Sequence, residues 1–175
     1  MKSKFTIEKC SIQDAEELAE IAMRAYKDHY LYLWNDDGSW YVNRSFSVEQ
    51  FRKELQNPNC AFFLLKENGK DIGFMKLNLD LPLMGHESEP ALELERIYLL
   101  KSASRKGFGK EAVLFCFELA EKINRKIVWL RSMDSSNALL FYERLGFVVC
   151  GTYRLKFEMM KPEYRGMKTL MKRMK

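Results

Sequence analysis

Leu92-Glu93-Leu94-Glu95-Arg96-Ile97-Tyr98-Leu99-Leu100-Lys101-Ser102-Ala103-Ser104-Arg105-Lys106-Gly107-Phe108-Gly109-Lys110 is the stretch on which this 175-residue chain turns. In its first half Leu92, Leu94, Arg96 and Tyr98 alternate with Glu93, Glu95, Ile97 and Leu99. That period predicts a strand over 92–100, with both glutamates on the face of Ile97 and Leu99. A basic loop with two glycines follows. Ala112, Val113, Cys116, Leu119, Ala120 and Ile123 then recur at helical spacing, which predicts a helix beginning after Gly109.

A strand, a glycine loop and a helix start in this order make an anion site. The first turn of a helix carries backbone N–H groups without intrahelical partners, and the aligned peptide dipoles place positive potential there. Glycines allow an anion close to the backbone. Lys101, Arg105, Lys106 and Lys110 add cations around the turn, so a pyrophosphate suits it. Without a ligand, the same features describe an ordinary helix start.

Ser104-Arg105-Lys106-Gly107-Phe108-Gly109 resembles the acyl-CoA-binding motif Q/R-x-x-G-x-G/A of the GNAT N-acetyltransferases. Ser104 departs from the usual Gln or Arg, a contact that Arg105 can supply. Asn137-Ala138-Leu139-Leu140-Phe141-Tyr142-Glu143-Arg144-Leu145-Gly146-Phe147 is similar to that family's N-x-x-A-x-x-x-Y-x-x-x-G-F segment, with an offset between Asn and Ala. The two segments stand in the family's order, one helix and one strand apart. The resemblance extends from about Phe5 to Met174.

It implies a mixed α/β sheet with element order β-α-α-β-β-β-α-β-α-β-β and a splayed central parallel pair, as one domain over 1–175. It implies acetyl-CoA as co-substrate, held by backbone groups of Ile97, Tyr98 and Leu99, by the loop Ser104, Arg105, Lys106, Gly107, Phe108, Gly109 and Lys110, and by Asn137 and Tyr142. Arg144 would lie near the cofactor phosphates or at the surface. The Tyr142 hydroxyl would protonate the leaving thiolate; the bland alternative is a core tyrosine beside Phe141 and Leu145. The family's base, where present, sits on the strand four residues before the backbone groups that hold the acyl arm. That points to Glu93, with Glu95 second; either glutamate can instead be a structural ion-pair partner.

The acceptor is expected to be a small-molecule primary amine. Tyr30-Leu31-Tyr32-Leu33-Trp34, the acidic turn Asn35-Asp36-Asp37-Gly38, Trp40 and Tyr41 form an aromatic and acidic region. With the 93–100 strand it looks like the PaiA-type spermidine/spermine acetyltransferases. Aromatic faces attract an alkylammonium, and Asp36 or Asp37 would pair with its far end; an aromatic cluster under a loop is the plainer outcome. Residues 35–95 hold six Lys/Arg against eleven Asp/Glu, whereas residues 96–175 hold eighteen against seven. The acidic middle suits a cationic acceptor, and the basic end suits a polyphosphate cofactor. A protein N-terminal acetyltransferase of ribosomal-protein type is the alternative enzyme; a non-catalytic CoA- or nucleic-acid-binding module is the alternative of another class.

The totals narrow the rest. Hydrophobic residues at 47% argue for a packed core. No apolar run reaches membrane-span length and the first residues lack a signal-peptide core, so no membrane partner and a cytoplasmic location are expected, and the acidic middle argues against a nucleic-acid partner. Cys10, Cys60, Cys116 and Cys150 are widely spaced and His29 and His86 isolated, so no metal is expected and the thiols are read as reduced core residues. Either a monomer or a homodimer is compatible.

Other elements follow from local signals. Strands are predicted at 4–9, 60–66, 72–81, 126–131, 147–154 and 167–174. Helices are predicted from about Gln13 with Ser11 as cap, over 47–55 with Ser47 as cap, and between Ser135 or Ser136 and Gly146. Asn68-Gly69 marks a hairpin, and Ile127 to Leu130 reads as a buried strand parallel to 92–100.

Overall fold

The computed structural model describes residues 4–175. The chain runs β1 (Phe5–Lys9), α1 (Ala15–Tyr30), α2 (Ser39–Ser45), α3 (Val48–Leu55), β2 (Cys60–Glu67), β3 (Lys70–Asn78), β4 (Ala91–Leu99), α4 (Phe108–Lys122), β5 (Ile127–Met133), α5 (Ala138–Arg144), β6 (Val148–Arg154) and β7 (Gly166–Arg173). The strands form one seven-stranded sheet in the order β1-β2-β3-β4-β5-β7-β6. This is the mixed α/β architecture that the resemblance implied. Among the described residues only β4 and β5 pair in parallel; every other neighbour is antiparallel.

Local chemistry explains most boundaries. The Asp14 carboxylate accepts from the Ser11 N–H at 2.6 Å and the Ser11 hydroxyl at 2.9 Å, fixing the entry to α1 through a 3-10 turn. The Ser47 hydroxyl accepts from the Gln50 N–H at 3.2 Å and starts α3. Asn68 and Gly69 both take positive φ, 52° and 77°, the pairing that lets β2 turn into β3 with a matching twist.

Two packed layers sit on the sheet. Helix α4 covers one face, where Ala112, Val113, Cys116 and Ala120 meet Leu92, Leu94, Val128 and Leu130. Helices α1 and α3 cover the other, where Leu18, Ala22 and Phe51 meet Phe62, Leu64 and Phe74. Burying each large apolar side chain stabilises the fold by about 1.5–3 kcal/mol relative to exposure.

Three differences from the sequence expectations matter. Lys76 pairs with Arg96 but Leu77 pairs with Leu94, so Glu95 is an extra residue, a bulge in β4. The bulge reverses the alternation. Leu92 and Leu94 share a face with Ile97 and Leu99, against α4, and Tyr98 joins the opposite cluster. Both glutamates meet the Asn78 amide, and so do not share a face with Ile97 and Leu99. A period-two count cannot register one inserted residue.

Residues 39–45 form a helix although Ser-Trp-Tyr-Val-Asn-Arg-Ser is poor in helix formers. Packing of Val42 and Tyr41 into the α1 face, and the Asp36 carboxylate accepting from the Trp40 N–H at 2.7 Å, outweigh that propensity. Finally, Cys150 is exposed rather than a core thiol, because β6 is a sheet edge whose residues are exposed or half-buried throughout. No helix among the described residues is long and apolar enough to cross a membrane.

Candidate active site

The parallel pair is short. Strands β4 and β5 pair from Ala91 with Ile127 to Leu94 with Leu130, and no further. Beyond these residues β4 follows β3 and β5 follows β7, so the two central strands part. The bulge at Glu95 lies where they separate. Two cavities open there, one on each side, and Tyr30, Ile97, Tyr98, Ala138 and Tyr142 line both.

The first cavity, about 620 Å³, lies between the end of β4, the start of α4 and the start of α5. Ser104, Arg105, Gly107, Gly109 and Lys110 wall one end, and Leu99 and Asn137 lie along it. Gly107 takes φ +93° as it enters α4, a conformation that a side chain would strain, and the space over its Cα is open. A Cβ at Gly109 would meet only ordinary contacts, Leu99 at 3.7 Å and Phe141 at 3.8 Å, so packing alone does not require glycine there. Unpaired N–H groups of the first α4 turn and the cations Arg105 and Lys110 give this end positive potential.

Three expected cofactor residues direct their side chains elsewhere. Lys106 is paired with Glu67 at 3.1 Å. Phe108 is buried and stacks on Phe5 with ring centroids 4.9 Å apart. Arg144 is exposed on α5 and does not line the cavity. His29, Phe141 and Ala103 line it without having been anticipated. The His29 Nε2 lies 3.0 Å from the Leu99 carbonyl, and the Asp28 carboxylate accepts from the Lys101 N–H at 2.8 Å. Together they tie the end of α1 to the end of β4.

The second cavity, about 170 Å³, is an aromatic box of Tyr26, Tyr30, Trp34, Tyr41 and Phe157. Trp34 donates to the Tyr26 hydroxyl at 2.8 Å, which satisfies both buried polar groups. Trp34 also bridges Met160, bringing the β6–β7 connection over the cavity. Tyr26 and His29 lie on the Tyr30 side of α1 at i, i+3, i+4 spacing, a signal that could have found them; Phe157 lies in a connection and had none. Asp36 and Asp37 lie outside the cavity walls. Asp36 caps α2 and Asp37 is an exposed positive-φ turn residue, so the turn chemistry of the segment claims them.

The polar floor is a charge network. Lys76 Nζ lies 2.6 Å from Glu95 and 3.0 Å from Glu54, and Arg96 lies 3.1 Å from Glu95. The Asn78 amide donates to Glu93 at 2.7 Å and Glu95 at 2.8 Å, and Arg131 pairs with Glu93 at 3.1 Å. Glu95 lines the cavity; Glu93, 2% exposed, does not. Burial raises the Glu93 pKa more than Arg131 and Asn78 lower it. Burial also acts to raise that of Glu95, but Arg96 and Lys76 outweigh it and hold that carboxyl below its usual range. Burial pushes the Tyr142 phenol up, with Tyr30 adding to the effect, so it stays protonated at neutral pH. The acidic excess of residues 35–95 is mostly spent in such pairs: Glu54, Glu67, Asp71, Asp80, Glu89, Glu93 and Glu95 all have cationic partners.

A parted parallel pair with an anion-binding helix start on one side and an aromatic box over a charged floor on the other defines an acyl-CoA transferase type of fold. The Acetyltransferase (GNAT) family profile matches residues 15–147. The chain belongs to that family. It is 30% identical over 113 residues to an uncharacterized N-acetyltransferase of Lactobacillus delbrueckii subsp. lactis, a match spanning 63% of this chain and 65% of that relative. Its fold matches the PaiA N-acetyltransferase of Thermoplasma acidophilum in complex with coenzyme A, with TM-score 0.74 and 22% identity over 97% of this chain and 99% of that one. It also matches the ribosomal-protein-S18-alanine N-acetyltransferase of Escherichia coli, with TM-score 0.71 and 20% identity over 98% and 94%.

Proposed function

We propose that this chain, as one catalytic domain, transfers the acetyl group of acetyl-CoA to a primary amine. The observation that carries this reading is the meeting of the two cavities at Tyr142, Tyr98 and Ile97. The larger cavity suits CoA: its cationic glycine end takes the pyrophosphate, and the edge of Ile97 and Leu99 that β5 leaves takes the pantetheine, with the Leu99 carbonyl shared with His29. The absence of a packing reason for glycine at 109 fits a backbone that an anion must approach closely.

The amine enters the aromatic box and loses its proton. Its nitrogen attacks the thioester carbonyl carbon, the C–S bond breaks, and the thiolate accepts a hydrogen bond and then the proton from Tyr142, while the surplus proton on the new amide nitrogen passes back to the tyrosine oxygen and restores the phenol. Desolvation raises the basicity of a thiolate as well as the pKa of a phenol, so the match between donor and acceptor survives burial. We assign Glu95 to holding the water through which the ammonium loses its proton, because Glu95 is the carboxylate at the wall. Glu93 is assigned the positioning of Asn78 and Arg131.

Relatedness in fold to a PaiA protein supports a polyamine acceptor, and fold likeness to a ribosomal-protein enzyme supports a protein N-terminus. Charge does not add to the polyamine case, since the one carboxylate at the wall already holds two cations. A small amine with an aromatic or apolar portion suits the box best. A turnover screen with acetyl-CoA and phenethylamine, spermidine and short peptides tests this. Turnover on phenethylamine above spermidine is the expected result; acetyl-CoA binding without turnover on any amine would remove the enzyme reading.

A further inference from the structure

We propose that the acceptor groove continues past Arg131 into a separate cavity, and that this cavity receives an apolar group at the far end of the acceptor. The inference rests on the acetyl-transfer reading only for naming the aromatic box as the acceptor side.

The cavity, about 370 Å³, lies beside the tyrosine box on the same side of the sheet. Leu81, Leu83, Trp129, Cys150 and Tyr153 form its walls. Arg131 lines both this cavity and the box, so the two adjoin at this residue. Continuity follows from β5 itself. Trp129, Arg131 and Met133 are alternate residues on one strand, and their side chains point to one face.

The chemistry of the walls selects the occupant. The Trp129 indole N–H is already bound to the Leu81 carbonyl at 2.9 Å, so the ring offers an apolar surface with no free donor. Met84 stands at the rim, 89% exposed, with a flexible thioether suited to irregular apolar groups. Among the described residues none of the lining side chains is acidic. The single charge is Arg131, which stacks over Trp129 at 5.1 Å and turns one flank to Glu93 while its side chain stays 46% exposed. A second ammonium would meet a cation and an apolar wall, and both disfavour it. An aryl or branched alkyl group would bury apolar area, and a carbonyl or carboxylate in the linker would meet the exposed part of the Arg131 guanidinium, beside Glu93 and the Tyr153 hydroxyl that already contact it. The acceptor is therefore an elongated monoamine: its amine lies in the aromatic box, its linker crosses Arg131, and its apolar end lies beyond.

Cys150 gives a clean handle, since it is exposed on an edge strand and lies away from the reacting groups. Binding of phenethylamine, phenylbutylamine, phenylhexylamine and spermidine would be measured calorimetrically on the CoA-loaded protein. Affinity is expected to rise with tail length. Cys150→Trp, which fills the cavity, should weaken phenylhexylamine by about tenfold or more and leave phenethylamine unchanged. Cys150→Asp, which adds charge without bulk, should weaken phenylhexylamine and strengthen spermidine, so the inference does not depend on the larger side chain being accommodated. No gain with tail length, or equal effects of both variants on short and long amines, would overturn it. So would a concentration-dependent dimer that Cys150→Asp dissociates with no tail dependence, because a second copy would then own the surface. Tail-dependent binding without acetylation would uphold this cavity and remove the transfer reading.

Discussion

The two sides of the parted strands are built in opposite ways. The cofactor side draws its glycines and cations from one continuous run, Ser104 to Lys110, where a strand turns into a helix. The acceptor side draws Tyr26, Trp34, Tyr41, Glu95, Arg131 and Phe157 from separate parts of the chain. The first depends on backbone conformation and helix polarity, which are local. The second depends on tertiary packing, on a bulge and on a buried charge network. A fold organised this way can keep one ligand while changing the other, because acceptor-side substitutions leave the phosphate-binding turn alone.

Four experiments press on that contrast. The largest effect is expected on the acceptor floor. Lys76→Met removes the cation between Glu54 and Glu95, leaving buried carboxylates with Arg96 as their remaining cation. The variant should lose about 3–5 kcal/mol of stability in urea denaturation. An unchanged midpoint would mean that the network is dispensable and that packing alone holds the box.

Tyr142→Phe comes next, at the junction. Turnover should fall by about a hundredfold while CoA binding by calorimetry stays unchanged. Equal loss of binding and turnover would instead make this phenol part of the cofactor wall only.

On the cofactor side, Gly107→Ala should cost about 1–2 kcal/mol through the positive φ alone and lower the melting temperature accordingly. CoA affinity should fall with it while the amine affinity of the CoA-free protein holds, which separates the two sides directly.

The smallest effects concern the two glutamates, whose signs are opposite. Glu93 has a raised folded pKa, so its contribution is full below its ordinary value of 4.5 and is lost as pH rises through the folded value. Glu95 has a lowered one, so its contribution is present above 4.5 and is lost as pH falls through the folded value. Urea midpoints across this acid range should therefore shift in favour of Glu93→Gln, relative to wild type, as pH rises, and against Glu95→Gln. Parallel shifts in the two variants would show that both carboxylates feel one averaged field.

How much was legible follows the same division. The strand, the glycine loop, the helix and the hairpin at Asn68-Gly69 were readable because each depends on neighbours in sequence. The orientation of Glu93 and Glu95 was not, because the inserted residue at Glu95 is visible only against the partner strand. Helix α2 was hidden for a related reason: its residues favour it weakly, and the contacts that hold it come from α1 and the Asp36 turn. The acidic middle segment looked like a field for polycations, yet most of its carboxylates meet Lys or Arg partners outside their own helical turn.

By itself the sequence determined a mixed sheet with one parallel step, a helix that begins on glycines amid cations, and a tyrosine placed one helix and one strand later. These rest on backbone sterics, hydrophobic period and dipole alignment, which act over a few residues. Only the tertiary structure decided where β4 and β5 part, which carboxylate reaches the cavity wall and which aromatics enclose it. Those outcomes are set by strand pairing and by desolvation among residues far apart in the chain, and neither has a signature in any short window of it.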